Sequence, residues 1–331
     1  MRYNRRNSQV RVETSDEERV VGRYLLDSIC NIDETPLPFE FLDSQTYADK
    51  GSHTVQVKAS NSGWDKRQAT LLLTDFGSGK SRVKPLIIFK GKKKYEGRRA
   101  AYFQKKRQDE IARYDSRVAI KWNESAYANA GLLVEWIEEL LVPALPPGPR
   151  LLALDVVKFH STENVLHTLR SNSIVPSMIP AGCTGLVQPL DVSVNKLFKN
   201  MLRDILESLL DIHEATHHQN LSELHRSDIS AIAERRILVT QAVGQAWEQF
   251  SDTHQELIVT TFRKLGLTPP IDGSYDSEIS IKGIDSALLR IGDSGQGGEN
   301  GREPQKEPVI SDSGVRVDQE DSSSVEFIDR D

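Results

Sequence analysis

Three aspartates in this 331-residue chain stand where carboxylates could meet: Asp33, Asp155 and Asp191. Asp33 closes the run Ser28-Ile29-Cys30-Asn31-Ile32, which reads as a short strand. Asp155 ends the run LLALD, behind four apolar residues. Asp191 follows Gln188-Pro189-Leu190 at the predicted start of a helix. In sheets flanked by helices, ligand groups gather beyond the carboxyl ends of strands. Two strand-end carboxylates and a third from a helix start, where the helix dipole favours the ionised form, could therefore share one cleft. Hard oxygen donors of this kind suit Mg²⁺ or Mn²⁺. Two such ions about 3.5–4 Å apart assist phosphoryl transfer by activating a nucleophile and stabilising the leaving oxygen. Aspartates also end strands and cap helices with no chemistry attached, so placement alone leaves both readings open.

The elements that must position these residues follow from periodicity. HTVQVKAS (residues 53–60) alternates as a half-exposed strand does, ATLLLTDF (69–76) is more apolar, and VKPLIIFK (83–90) follows a Gly-Ser-Gly turn; together they read as an antiparallel meander. VAIKWN (118–123) is a further short strand, and residues 125–141 carry apolar positions at helical spacing up to Pro143. LLALD and IVPSMIP (174–180) read as buried strands with a short helix over 162–170 between them. Long amphipathic helices are predicted over 191–210, 229–250 and 253–265. Strands first, then alternating strands and helices, is the order of a mixed α/β sheet with helices on its faces. The reading divides the chain into a flexible arm (1–22), one α/β domain (23–270) with a basic insertion (91–116), and a disordered acidic tail (271–331).

The bulk charge of −6 conceals an asymmetry. Residues 80–121 hold 15 Lys and Arg against 4 Asp and Glu, whereas residues 271–331 hold 6 against 15. A basic segment inside an acidic chain suggests a local surface for a polyanion. The insertion KGKKKYEGRRAAYFQKKR (90–107) interleaves these charges with Tyr95, Tyr102 and Phe103. Contact with a DNA backbone, a nuclear-import signal and a solvated loop all fit it. No apolar run reaches about 18 residues, so no transmembrane helix and no membrane partner are expected. MRYNRRNSQV lacks the apolar stretch of a secretory leader. Cys30 and Cys183 form neither a disulfide framework nor a metal knuckle, which fits a reducing compartment.

Two near-motifs carry less weight. TDFGSGKS (74–81) ends like a phosphate-binding loop, but Thr74 sits where the first Gly is needed and a strand follows instead of a helix. A hairpin turn accounts for it. His213-Glu214-Ala215-Thr216-His217 matches H-E-x-x-H, with Glu234 as a third ligand for zinc. Its polar surroundings make a solvated, His-rich connection the simpler reading.

Three words change the weight of the aspartates. NIDETPLPFE (31–40), LLALDVVKFH (151–160) and IPAGCTGLVQPLDVSVNKLFK (179–199) resemble the pogo/Tigger/jerky family of DDE superfamily endonucleases. That family places its first Asp in N-x-D-E-T. Its second Asp ends an apolar strand with a His a few residues on, and its third lies in Q-P-L-D-V ahead of N-K-x-F-K. GWDKRQATLLL (63–73), PLIIFKGK (85–92) and AWEQFSDTHQELIVTTFRKLGL (246–267) also look like family blocks. The likeness covers residues 24–273, about three quarters of the chain.

The resemblance implies an RNase H-like fold and a catalytic and metal-binding triad of Asp33, Asp155 and Asp191 holding two ions, Mg²⁺ or Mn²⁺. It implies metal-dependent nicking of DNA in the nucleus, followed by attack of the freed 3′-hydroxyl on target DNA. His160 is a candidate to orient the site or contact phosphate. Lys196, Lys199, Lys92, Lys93 and Lys94 are candidate DNA contacts, and a second copy of the chain is a candidate partner. Glu34, next to Asp33 on a strand, is expected to point elsewhere. The family usually carries two helix-turn-helix modules ahead of the first Asp, and 32 residues precede Asp33 here. A non-catalytic DNA- or chromatin-binding protein that keeps the fold is the alternative.

Overall fold

The computed structural model describes residues 20–21, 24–41, 67–91, 96–218, 221, 229–270 and 275–285. Its frame is a six-stranded sheet made of β1 (Ile29–Pro38), β2 (Arg67–Phe76), β3 (Leu86–Lys90), β4 (Ala119–Asn123), β5 (Arg150–Asp155) and β6 (Ile174–Ile179). The spatial order is β4-β3-β2-β1-β5-β6. β2 and β3 pair antiparallel as expected, β1 pairs antiparallel with the other edge of β2, β5 and β6 join in parallel beside β1, and β4 joins in parallel beside β3. The candidate strand at 53–60 lies outside the described residues.

Alternation along the strands sorts the side chains into two cores. Ile29, Leu37, Leu71, Leu73, Ile87, Phe89, Leu151 and Ala153 face one side. Cys30, Ile32, Leu72, Ile88, Leu152 and Leu154 face the other. Both faces must be covered, because each large apolar side chain buried contributes roughly 1.5–3 kcal/mol. The second face is closed by α2 (Ala130–Trp136, continued through a wider helical turn at Ile137–Leu141) and α3 (Glu163–Ser171). The first is closed by α4 (Asn195–His217), α5 (Ile229–Thr253) and α6 (Gln255–Lys264). Sheet order and two-sided helical cover make this the RNase H-like α/β fold that the sequence words implied.

Three local outcomes differ from the expectations. β1 does not stop at Asp33 but runs on to Pro38, because β2 pairs along it from Phe76 to Arg67. The basic insertion contains a helix, α1 (Ala100–Ile111), on which no residue is buried. Its lack of an apolar stripe is why periodicity did not reveal it. Within the stretch expected to be a disordered tail, Asp276 and Ile279 are buried, and Ser280 N donates to Lys264 O at 2.9 Å. Ile279 is buried there beside Gly266, so this part of the tail is ordered by packing on the turn after α6.

The strand lengths create a step. β5 pairs with β1 from Ile29↔Leu151 to Asn31↔Ala153 and ends at Asp155. β1 continues past that point with an open edge. The segment after β6 fills that edge and carries the third aspartate.

Candidate metal centre

Asn31 ties the three elements together. Its Nδ2 donates to Ala153 O on β5 at 2.9 Å and to Ile32 O at 3.2 Å, and its Oδ1 accepts from Leu190 N at 3.1 Å. Its side chain is fully buried. Two residues on, Asp33 shares the same face of β1, at the level Asp155 reaches on β5 if the register is continued. One residue beyond Leu190, Asp191 sits in the wide helical turn Leu190–Val194 that leads into α4. Such one-turn widenings recur at functional sites.

Asp33 is the best-held of the three. Gln188 Nε2 donates to its Oδ1 at 2.9 Å, and Asn195 Nδ2 donates to its Oδ2 at 2.6 Å. The same Asn195 nitrogen reaches Asp191 Oδ1 at 3.2 Å, so one amide bridges two carboxylates. The amide oxygens, Gln188 Oε1 and Asn195 Oδ1, are buried without a partner. A flipped amide would set oxygen against carboxylate, so the acidic groups dictate the orientation. Burial, and after it the charge of Asp191, push the Asp33 carboxyl up to about 7; Glu34 and Asp155 add to this, and the Asn195 hydrogen bond opposes it. Three further acidic groups therefore act on Asp33.

Asp155 is held from the other side. His160 Nδ1 lies 2.8 Å from Asp155 Oδ1 and 3.0 Å from its backbone O, while Nε2 lies 3.0 Å from Glu34 Oε1. Burial would lower the His160 pKa, but hydrogen bonds to Asp155 and Glu34 outweigh it and push the imidazole up to about 10. An imidazolium wedged between two carboxylates is the result. The His160 side chain is fully buried and both its ring nitrogens are engaged. It has no face open to a phosphate. Glu34 does point away from Asp33 along the strand, yet the loop after β5 folds back and brings His160 to it. Among the described residues, Glu34, Asp155 and His160 are the one group of three or more such ligand types whose donor atoms converge. The sequence pattern set Glu34 aside because strand alternation points it away from Asp33, and its bond to His160, 126 positions on, leaves no local signal. The missed signals were the Asn of N-x-D and the Gln of Q-P-L-D, which sat inside words already singled out.

Lys196 is exposed and Lys199 half-buried, on the first two turns of α4; Lys92, Lys93 and Lys94 lie outside the described residues. Gly77, Ser78 and Gly79 make the turn between β2 and β3, and no helix follows, so the phosphate-loop look-alike is a hairpin turn. The H-E-x-x-H residues lie on the last turns of α4 instead of in a solvated connection. His213 is buried and its ring stacks on that of His217 at 4.4 Å. Glu234 is taken by Arg113 through paired bonds of 2.5 and 2.7 Å. Cys30 and Cys183 are both free thiols.

A six-stranded sheet of this order, with Asp33 and Asp155 at the step beside its central strands, has the architecture of the RNase H-like class. A family model described as DDE superfamily endonuclease matches residues 66–251. This span is more than half of the sequence, and the chain belongs to that family, in its pogo-type branch. The matched span includes Asp155, His160, Asp191 and Asn195 and begins after Asp33. Human "Pogo transposable element with ZNF domain" is 26% identical over 181 residues, covering 54% of this chain and 11% of that protein. "Pogo transposable element with KRAB domain" is 26% identical over 176 residues in human and 24% over 176 in mouse, covering 52% of this chain and 26% of each relative. The chain thus spans between a tenth and about a quarter of the length of these relatives. Among the described residues no helix is long and apolar enough to cross a membrane.

Proposed function

We propose that this chain cleaves DNA strands, and joins them to a target, at the cleft formed by Asp33, Asp155 and Asp191, with the help of two divalent cations, Mg²⁺ or Mn²⁺. The observation that carries the reading is the pressure of the acidic groups on Asp33. Asp33 is driven up to about 7 by burial and by Asp191, Glu34 and Asp155 together, a state that a bound cation relieves. The donor set fits such ions, since every acidic group offers hard oxygens, and each Asp33 oxygen keeps a lone pair beyond its amide partner. Bound there, the ions supply charge stabilisation for the attacking and leaving oxygens of a phosphodiester.

The protein's own residues do the positioning. His160 fixes the rotation of Asp155, Gln188 and Asn195 fix both oxygens of Asp33, and Asn195 sets the spacing of Asp33 to Asp191. Lys196, exposed one turn beyond Asp191, is suited to a DNA phosphate near the cleft. Lys92, Lys93, Lys94 and Lys199 are further candidates. A nuclear location follows from a DNA substrate, and a second copy of the chain is a candidate partner.

A nicking assay on supercoiled plasmid tests the reading, with EDTA, Mg²⁺ and Mn²⁺ arms. Wild type is expected to nick only with metal, and Asp155→Asn is expected to lose nicking while keeping its fold, because the amide removes the charge and one acceptor oxygen. Metal-dependent nicking retained by Asp155→Asn would refute the triad. DNA binding with no nicking by any form would instead support a non-catalytic binding protein on the same fold.

A further inference from the structure

Helix α1 is docked through its C-terminal half. Its C-terminal half is tied to the body: Arg107 lies over the Trp122 ring at 4.2 Å, Glu110 bonds Arg236 at 2.5 and 2.8 Å, and Tyr114, just past its end, bonds Glu110 and packs on Phe89. The chain then descends beside α5, with Asp115 N donating to Thr240, to enter β4. The N-terminal half presents most of its side chains to solvent. Tyr102 is 54% exposed and Phe103 38%, their rings edge-to-face at 5.4 Å, with Lys106 Nζ 5.0 Å over Tyr102.

This half is also where the cations stand. Arg98, Arg99, Lys105 and Lys106 are all exposed, and no ion pair among the described residues involves them. Tyr102, Lys105 and Lys106 recur at helical spacing, which puts them on one face, and Arg98 and Arg99 immediately precede the helix. Glu96 and Asp109 are the exposed acids nearby. A solvated basic face needs no exposed aromatic pair, and lysine, which supplies two of the four cations here, is depleted where proteins dock on one another.

The register locates this face relative to the cleft. Asp33 pairs with Leu73, and Leu72 pairs with Leu86, so the carboxylates lie level with the start of β3. Gly91, beside Trp122 and Arg107, lies past the end of β3. That is about five residues, or roughly 17 Å, along the strands and, at β4, about 14 Å across them. Residues 100–106 extend about 10 Å beyond Arg107. The basic face thus stands roughly 20–30 Å from the carboxylates, less than one turn of duplex DNA, which spans about 34 Å.

We propose that the exposed face of α1, with Arg98, Arg99, Lys105, Lys106 and Tyr102, binds the sugar-phosphate backbone of duplex DNA flanking the segment held in the cleft. The assignment rests on the reading of this chain as a DNA-cleaving enzyme and adds the second attachment that holds the duplex in register. Its binding is sequence-independent, since phosphates carry no base code.

The test is fluorescence anisotropy of the full chain on a duplex of about 30 base pairs, in EDTA, at several salt concentrations. Lys105→Glu with Lys106→Glu should weaken binding at least tenfold and lower the salt slope by about two, near 0.9 for each phosphate no longer neutralised. Tyr102→Ala should weaken it by a smaller factor. Arg170→Glu, on the exposed surface of α3 at the other end of β5, should change neither quantity. Because α1 buries no residue and Arg170 is exposed, circular dichroism and Tm should match wild type in all three. Equal weakening by Arg170→Glu would overturn the proposal in favour of a net-charge effect. Unchanged DNA binding would also overturn it, and an altered oligomer on size exclusion would then identify a second copy as the occupant. Chelation keeps the outcome separate from the triad: α1-dependent binding without metal-dependent nicking sinks the catalytic reading alone, and nicking without α1-dependent binding sinks this one alone.

Discussion

Asn31 Oδ1 accepts a hydrogen bond from Leu190 N at 3.1 Å, and this bond sets where Asp33 and Asp191 stand relative to each other. Asp33 follows Asn31 by two positions and Asp191 follows Leu190 by one, so a single buried amide holds both in register. The Asn31→Ala variant is expected to lose this tie and the one to Ala153, leaving buried backbone groups unpaired at about 1–3 kcal/mol each. Urea denaturation should show the loss, and nicking should fall with it. Stability within about 0.5 kcal/mol of wild type, inside the usual scatter for surface changes, would sink the tie.

Metal-free protein should weaken as the pH rises from about 4 to 7. Asp33 titrates near 7 in the folded state against an ordinary 3.8. Between those values the folded chain holds a proton that the unfolded chain has lost. The stability from this group is therefore full below about 4 and gone once the pH passes 7. Two outcomes follow at pH 8: Mg²⁺ or Mn²⁺ raises Tm, and Asp33→Asn raises the Tm of the metal-free protein by removing the repelled charge. Calorimetry with and without EDTA reads both. A metal-free Tm that climbs from pH 5 to 8 in wild type but not in Asp33→Asn contradicts the sign.

Protons and cations compete for the same carboxylate, so Mn²⁺ affinity should fall as the pH drops through about 7. Electron paramagnetic resonance of free Mn²⁺ measures this without any turnover. An affinity flat from pH 5.5 to 8 would show that Asp33 is not a ligand.

The imidazole of His160 should stay protonated across the neutral range. Its pKa is raised from 6.5 to about 10, so its contribution is fully present below 6.5 and lost as the pH rises through about 10. His160→Ala leaves Glu34 and Asp155 facing each other and is expected to cost roughly 3–5 kcal/mol, as for other broken buried pairs. Glu34→Gln keeps a hydrogen-bond acceptor and should retain more nicking than Asp155→Asn. Nitrogen-15 NMR of the ring gives the direct check, and a midpoint near 6.5 rules out the wedge.

The turn between β2 and β3 offers a contrast. Gly79 has φ +74°, and a Cβ there would meet Gln255 O at 2.7 Å. Gly79→Ala should therefore destabilise by a few kcal/mol, through strain and the clash with α6. Lys80→Ala, on an exposed residue, should leave both stability and nicking near wild type. A nucleotide dependence lost in Lys80→Ala would revive the phosphate-loop reading.

Much of the fold was legible because burial is periodic. The unbroken apolar runs LLALD and ATLLLT read as strands buried on both faces, and the structure sorts Leu151 and Ala153 to one core and Leu152 and Leu154 to the other. The three words around Asp33, Asp155 and Asp191 carried the family, and the Gly-Ser-Gly turn marked a boundary by its own backbone limits, whereas Pro143 lies inside the helical turn Val142–Ala144 that continues α2. Only the tertiary structure decided that β1 runs past Asp33, since strand length depends on β2 as partner. It also decided that Glu34 meets His160 across 126 positions, that one Asn195 nitrogen serves two carboxylates, and that the basic insertion is a helix held by Glu110, Arg107 and Arg113. Local pattern records which side of an element is wet. It carries no record of which distant polar group arrives there, because such pairing is selected by the packing of the whole sheet and its helices.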